Sequence, residues 1–235
     1  MELRHIVAIG GGGFSEDREN PLLDDFVMAL TDAPKPNVCF VSTASGDSPY
    51  YVDTFFATFA TRNCTPTCLR LIRRPTPDPE ELLAEQDVIY VGGGWTEPML
   101  RVWRACAIDA ALLRAWERGT ILCGVSAGSM CWFEAGITAA AGRPDTMRPV
   151  EACLGLLPGS HCPHYEHTTR RLGYHRLVTT GALAAGHAAE GGVALHFVGT
   201  ELAEAVTSRR SGSAYWVQAT DGHLSEERLP TRYLG

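Results

Sequence analysis

The amino-acid sequence predicts an α/β fold, a mainly parallel sheet with helices on both faces, and three observations carry that expectation. Short β-branched runs alternate with longer amphipathic segments over the first two thirds of the chain. VIYV (88–91) and TILCGV (120–125) are apolar almost throughout, as strands covered on both faces are. Three runs end in glycine-bearing stretches, GGGGF (10–14), GGGWTE (92–97) and GVSAGS (124–129). In open parallel sheets the ligand crevice lies just beyond the carboxyl ends of the strands, so these are the stretches to read for chemistry.

In order along the chain, strands are expected at 5–9, 37–42, 67–72, 87–91 and 120–125. Helices are expected at 21–31, 50–62, 79–85, 97–104 and 108–118, with apolar residues three and four apart and proline near several starts. The run after Ser126 reads as helix-like. Beyond Leu154 the pattern changes to one more helix, 165–178, and to the strand-like runs VALHFV, AEAVTS and AYWVQA. These last runs are expected to extend the same sheet as antiparallel edge strands. No internal repeat or linker interrupts the chain, and 235 residues at 45% hydrophobic composition suit a single domain spanning 1–235.

The formal net charge of −7 and the absence of any Lys/Arg run argue against a nucleic-acid partner; Arg70 to Arg74 reads as a solvated loop. No stretch is long and apolar enough to suggest a membrane partner, and Met1-Glu2-Leu3-Arg4 leads into a strand rather than a signal peptide, so a cytoplasmic protein is expected. The eight cysteines are scattered through apolar patterns, as buried free thiols are. Cys64 and Cys68 have no second pair downstream, which speaks against structural zinc.

GGGGF has neither the GxGxxG spacing nor a following Lys-Ser/Thr, so it reads as a tight turn admitting close backbone approach rather than a phosphate loop. GVSAG fits GxSxG, the nucleophile elbow, in the strand–turn–helix context that motif requires, with Ser126 as the nucleophile. The competing reading is Ser126 as a helix N-cap among close-packed glycines. An elbow serine also needs an oxyanion hole, and the N–H groups of Ala127 and Gly94 are the candidate donors, with Gly92 and Gly93 serving the turn. Of the eight histidines, His5, His196 and His223 read as structural or solvated by position. LLPGSHCPHYEH holds His161, His164 and His167; Pro163 keeps Cys162 extended and spoils a helical ligand face, which disfavours a zinc site there. A general base is expected at His164 or His161.

GGGWT, GVSAGSMCWFEAG and LGLLPGSHCPHY together resemble the peptidase E (dipeptidase E, aspartyl dipeptidase) family, to which cyanophycinase is related; the likeness covers nearly the whole chain. The resemblance implies a flavodoxin-like three-layer α/β sandwich akin to the class I glutamine amidotransferases, and a serine hydrolase with a Ser-His-Glu triad. It puts the nucleophile at Ser126, the histidine at His164 in CPHY, the oxyanion donors at Gly94 and Ala127, and the acid at Glu190 in AAEGG. Asp145 and Glu134 are rivals for the acid. Trp95 stands where the family loop carries asparagine, and Arg170, Arg171 and Arg176 lie where aspartyl dipeptidases place a substrate-selecting arginine.

The expected activity is therefore a cofactor-free, metal-free serine exopeptidase. Ser126 attacks the peptide carbonyl, His164 moves the proton, Glu190 holds the imidazole, and the backbone donors stabilise the oxyanion. The implied partner is a short peptide, with a homodimer as one option, and strict Asp-X specificity is not expected. The alternatives are a carboxypeptidase-like or broad-specificity member of the same family, an esterase or acyltransferase, a catalytically silent binding module, and metal-dependent hydrolysis through the histidine cluster.

Overall fold

A computed structural model describes residues 3–140 and 143–235. Strands β1 (His5–Ile9), β2 (Asn37–Val41), β3 (Thr65–Leu69), β4 (Val88–Val91) and β5 (Ile121–Val125) alternate with helices α1 (Leu22–Met28), α2 (Pro49–Phe59), α3 (Pro79–Ala84), α4 (Thr96–Ala105) and α5 (Ile108–Glu117). These five strands run parallel in the order β1-β5-β4-β2-β3. The two-residue period sorts their side chains to opposite faces. Ile6, Ala8, Ile89, Val91 and Leu122 pack against Trp103, Leu112 and Trp116 of α4 and α5. Val7, Ile9, Tyr90, Cys123 and Val125 face Leu23, Phe55 and Phe59 of α1 and α2. Helices, sheet and helices thus form the three layers of a flavodoxin-like α/β fold.

The remainder departs from the expected simple extension. The short helix α6 (Ala127–Met130) is followed not by more helix but by strands β6 (Phe133–Ala140), β7 (Arg143–Val150) and β8 (Leu157–Pro163). Helix α7 (Thr168–Thr179) and strands β9 (Gly186–Ala189), β10 (Val193–Val198), β11 (Glu201–Thr207), β12 (Ala214–Thr220), β13 (His223–Leu229) and β14 (Thr231–Tyr233) complete the described elements. As expected, β10 and β11 join the edge of the first sheet antiparallel, beside β1. However, β12 belongs to a second sheet, ordered β13-β12-β9-β8-β6-β7. Its face packs on α7 through Ile137, Tyr165, Tyr174, Leu177 and Val217.

One hydrogen bond between the two sheets closes the crevice, and one within the first sheet steadies it. The His164 N–H donates to the Gly10 carbonyl at 2.9 Å, and the Gly10 N–H to the Val193 carbonyl at 2.9 Å. The end of β8 is thereby held against the carboxyl end of β1. Because β1 and β5 are adjacent and in register from Ile6↔Leu122 to Ile9↔Val125, Gly10 and Ser126 lie side by side, with the Ser126 N–H on the Ile9 carbonyl at 3.0 Å. Phe14 anchors the intervening loop in an aromatic cluster of Phe40, Phe55, Phe59, Tyr51 and Tyr90, at centroid separations of 5.1 to 5.6 Å.

Candidate active site

Ser126 separates the two readings of GVSAG. Its backbone sits at φ 57°, ψ −112°, and its side chain makes no cap hydrogen bond to α6. A non-glycine residue in this region is strained, and such strain persists only where the surroundings hold it. They do so here. A Cβ on Gly124 would lie 2.1 Å from the Gly128 carbonyl oxygen, and one on Gly128 2.2 Å from that of Val91. The glycines let strand and helix close on each other, and the turn between them presents the serine. Its Oγ lies 2.9 Å from His164 Nε2.

For the Ser126 hydroxyl to donate to Nε2, the imidazole proton must sit on Nδ1. The Nδ1 edge faces the first strand end. A Cβ on Gly11 would lie 2.7 Å from both Nδ1 and Cε1 of His164 and 3.1 Å from Glu16 Oε2. Gly11 is bare because the imidazole and the Glu16 carboxylate crowd the same space. Glu16 Oε2 also accepts the Gly12 N–H at 2.8 Å, which fixes the carboxylate over the loop. Burial lowers the His164 pKa below the ordinary histidine value; the negative charges of Glu16 and Glu166 pull it back up, and the positive charges of Arg170 and His167 push it down.

Glu190 stands elsewhere. Its Oε2 accepts the Ser213 N–H at 3.0 Å and its Oε1 lies 3.4 Å from the Tyr215 hydroxyl, and no hydrogen bond joins it to His164. The AEGG segment instead contributes backbone, since the Ala189 and Glu190 carbonyl oxygens close to 2.5 Å of the position a Gly10 Cβ would take. Of the rivals, Glu134 accepts the Gly159 N–H at 2.7 Å, and Asp145 is exposed on β7 beside Thr168 and Leu172. Neither is hydrogen-bonded to the imidazole.

GGGWT lies beside Ser126. A Cβ on Gly93 would approach Ser126 Cβ at 3.4 Å and Oγ at 3.9 Å. Gly94 has φ 142° and is pressed against the Ala44 carbonyl, where a Cβ would come to 2.1 Å. Neither the Gly94 nor the Ala127 N–H has a protein acceptor among the described residues. The Gly93 N–H is taken by the Tyr51 hydroxyl at 3.2 Å, as suits a turn residue. A cavity of about 330 Å³ opens beside Ser126, walled by Glu16, Ser45, Tyr50, Tyr51, Gly93 and Gly94. A cleft of about 600 Å³ at the opposite ends of the strands, near His5 and Thr120, holds no nucleophile–base pair.

The four substrate candidates separate. Trp95 is 74% exposed at the start of α4. Arg171 is committed elsewhere: its guanidinium pairs with Glu226 and lies 5.0 Å over the rings of both Tyr165 and Tyr215. Arg170 has a buried Nη1 with no hydrogen-bond partner among the described residues, and its charge acts on both His161 and His164. Arg176 Nη2 donates to the Met147 carbonyl at 2.6 Å.

His161, the alternative base, is turned into the core. Its Nδ1 lies 3.0 Å from the His187 carbonyl and Nε2 3.1 Å from Ser129 Oγ, with the ring stacked on Phe133 at 4.7 Å. Since the carbonyl only accepts, Nδ1 carries the proton, and Nε2 competes with the Ser126 carbonyl, 2.7 Å from Ser129 Oγ, for the single Ser129 hydroxyl proton. Burial lowers the His161 pKa to about 3 and that of His187 to about 4. Both stay neutral when folded and gain protons when unfolded below the ordinary value near 6.5. Their stabilisation is therefore complete above about pH 6.5 and is lost as pH falls toward the folded values. The urea midpoint is expected to drop progressively from pH 6.5 to 4; a midpoint flat across that window would contradict it. His5 and His196 pair with each other at 2.9 Å and His223 is exposed, so position alone placed these three correctly.

Sequence reading missed Glu16, Gly11 as the imidazole's seat, and the Ser129–His161 support beneath the elbow. Glu16 carried a usable signal, as the first carboxylate after the first strand end.

The model of peptidase family S51 matches residues 6–205. The chain is 41% identical over 234 residues to the uncharacterized peptidase YgaJ of Bacillus subtilis (strain 168), covering 99% of this chain and 100% of that one. The crystal structure of a peptidase from an acI-B1 Actinobacterium superposes with a TM-score of 0.64 at 15% identity, over 97% of this chain and 95% of that one. A candidate Peptidase E protein from Listeria monocytogenes EGD-e gives 0.55 at 16% identity, over 97% and 100%. These two structures share the fold. The peptidase E resemblance is thus borne out at the level of family and fold, and this chain is a peptidase belonging to family S51.

Proposed function

We propose that the chain is a serine exopeptidase acting on short peptides through an acyl-enzyme on Ser126. The observation that carries this reading is the 2.9 Å contact between a strained Ser126 and His164 Nε2. His164 takes the hydroxyl proton as Oγ attacks the carbonyl and returns it to the leaving amine; water then repeats the sequence to release the acyl group. The Gly94 and Ala127 N–H groups receive the oxyanion, each worth on the order of 3 kcal/mol in the transition state. A cavity of about 330 Å³ suits a dipeptide-sized ligand and supports an exopeptidase.

In this reading the carboxylate serving the Nδ1 side is Glu16, in place of Glu190. Glu16 is exposed, so solvent screens its pull and its role is to bias the tautomer rather than to form a buried charge pair. Removing a charge that raises the His164 pKa must lower it. Glu16→Gln is therefore expected to shift the acid limb of the kcat/KM profile to lower pH while reducing kcat, and Glu190→Gln to leave the limb in place. The reverse pattern would return the role to Glu190. Arg170, with its buried Nη1 unpaired among the described residues, would hold a substrate carboxylate. The eight free cysteines support a reducing, cytoplasmic setting.

A library of dipeptides and tripeptides with free and blocked termini tests the assignment. Cleavage confined to short peptides with one obligatory free terminus is expected, alongside labelling of Ser126 by a fluorophosphonate. Turnover of esters without amides would make the protein an esterase. An unlabelled serine would make it a binding module.

A further inference from the structure

Three metal-competent side chains meet at the mouth of the crevice. One donor atom from each of His164, Glu166 and His167 lies within 4.8 Å of the other two. The backbone brings them together: β8 stops at Pro163, His164 turns to φ 54°, and the His167 N–H closes a turn onto the His164 carbonyl at 3.1 Å. Glu166 is fastened through Oε2, which accepts the Gly191 N–H at 2.8 Å, and this leaves Oε1 3.8 Å from His167 Nε2. Glu166 and His167 are exposed, so an ion arriving from solvent meets the free Oε1 of a held carboxylate and an imidazole able to rotate onto it. Tetrahedral zinc needs donors about 3.4 Å apart, which that rotation can supply.

Two imidazoles and one carboxylate suit a borderline-soft divalent ion. Zn²⁺ takes nitrogen and carboxylate donors in fours and accepts water as the fourth, whereas Ca²⁺ and Mg²⁺ call for more oxygens. Pro163 prevents the helical i, i+3 arrangement, and the turn it ends in provides a different one. His161 takes no part, since both its ring nitrogens are engaged in the core.

We propose that His164, Glu166 and His167 form a Zn²⁺ site whose occupancy reversibly inhibits the enzyme. Coordination takes the imidazole that activates Ser126, so a bound ion and a competent nucleophile exclude each other. The inhibitory half rests on His164 as the general base; the binding half does not.

The full-length protein is stripped with chelator and titrated with Zn²⁺, binding being followed by equilibrium dialysis and function by peptide cleavage and fluorophosphonate labelling. One Zn²⁺ per chain is expected, with cleavage and labelling lost in parallel and restored by chelator, and with no response to Mg²⁺. His167→Ala is expected to keep its metal-free activity and to need more than about tenfold higher Zn²⁺ for half inhibition, since even an outer-sphere partner of a metal is typically worth that much. Glu166→Gln is the second variant and should likewise need more Zn²⁺, each reading being scaled to that variant's own metal-free activity because the lost carboxylate also lowers the His164 pKa. Cys106→Ser, which removes the exposed thiol, should remain as sensitive as the parent. The proposal is overturned if no Zn²⁺ binds, if it binds without inhibition, if both ligand variants stay fully sensitive, or if chelator abolishes activity. Should metal-free protein cleave no peptide, the peptidase mechanism fails, and dialysis still decides the metal site.

Discussion

Ser126→Ala is expected to fold normally and to lose at least about 10⁴-fold in kcat for any peptide the parent cleaves. The loss follows from chemistry rather than stability. Alanine keeps the β-carbon that the turn already accommodates at φ 57° and removes only the oxygen 2.9 Å from His164 Nε2. Residual turnover from the Gly94 and Ala127 donors alone should persist above the uncatalysed rate. Ser126→Gly sharpens the experiment. It should be equally inactive yet melt higher, because glycine removes backbone strain of order 1–3 kcal/mol at such a position. Parent-level cleavage by Ser126→Ala would refute the nucleophile, and an unchanged melting temperature for the glycine variant would refute stored strain at the elbow.

Gly11→Ala should separate folding from catalysis in the opposite direction. Its φ is not in the left-handed region, so alanine meets no backbone penalty there, but the new methyl would lie 2.7 Å from the imidazole Nδ1 and Cε1. The ring must move, and displacement by even a fraction of an ångström breaks the alignment of Nε2 with Oγ. A loss of about 10²–10³-fold in kcat is expected, with the melting temperature little changed. Gly10→Ala is the contrasting neighbour. Its methyl would meet the Ala189 and Glu190 carbonyl oxygens at 2.5 Å, which are backbone and cannot swing aside, so it should be poorly folded. A fully active Gly11→Ala protein would mean that His164 is not held where the base must stand.

Both expectations arise from stretches readable before any coordinates, yet their explanations differ. GVSAG announces itself because an elbow needs glycines on either side of the serine, a local requirement written in five consecutive residues. The reason for Gly11 is not local: it is the ring of His164, brought from the second sheet by one hydrogen bond onto Gly10. The assignment of the carboxylate shows the same division. AEGG looks like a family acid by spelling, while the groups beside Glu190 are Ser213 and Tyr215 and the carboxylates near His164 are Glu16 and Glu166.

The sequence by itself determined the five parallel strands, their order along the chain, the crevice at their carboxyl ends, and the serine and histidine that occupy it. The strands, the crevice and Ser126 are encoded by periodicity or by turn chemistry over a few residues, while His164 is implied by the family resemblance of LGLLPGSHCPHY. Only the tertiary structure decided that FEAGITAA, RPDTMRPV and LPGSHCP form a second sheet, because glycines and prolines blur their alternation and their pairing partners lie in other segments. It alone engages Arg171 with Glu226 while Arg170 Nη1 finds no hydrogen-bond partner among the described residues, since neighbours in sequence on α7 point to different surroundings. Ser126 and His164 were legible because each sits in a short local motif, GVSAG and CPHY. The charges that tune them were not, because a carboxylate acts through space on whatever the fold sets beside it.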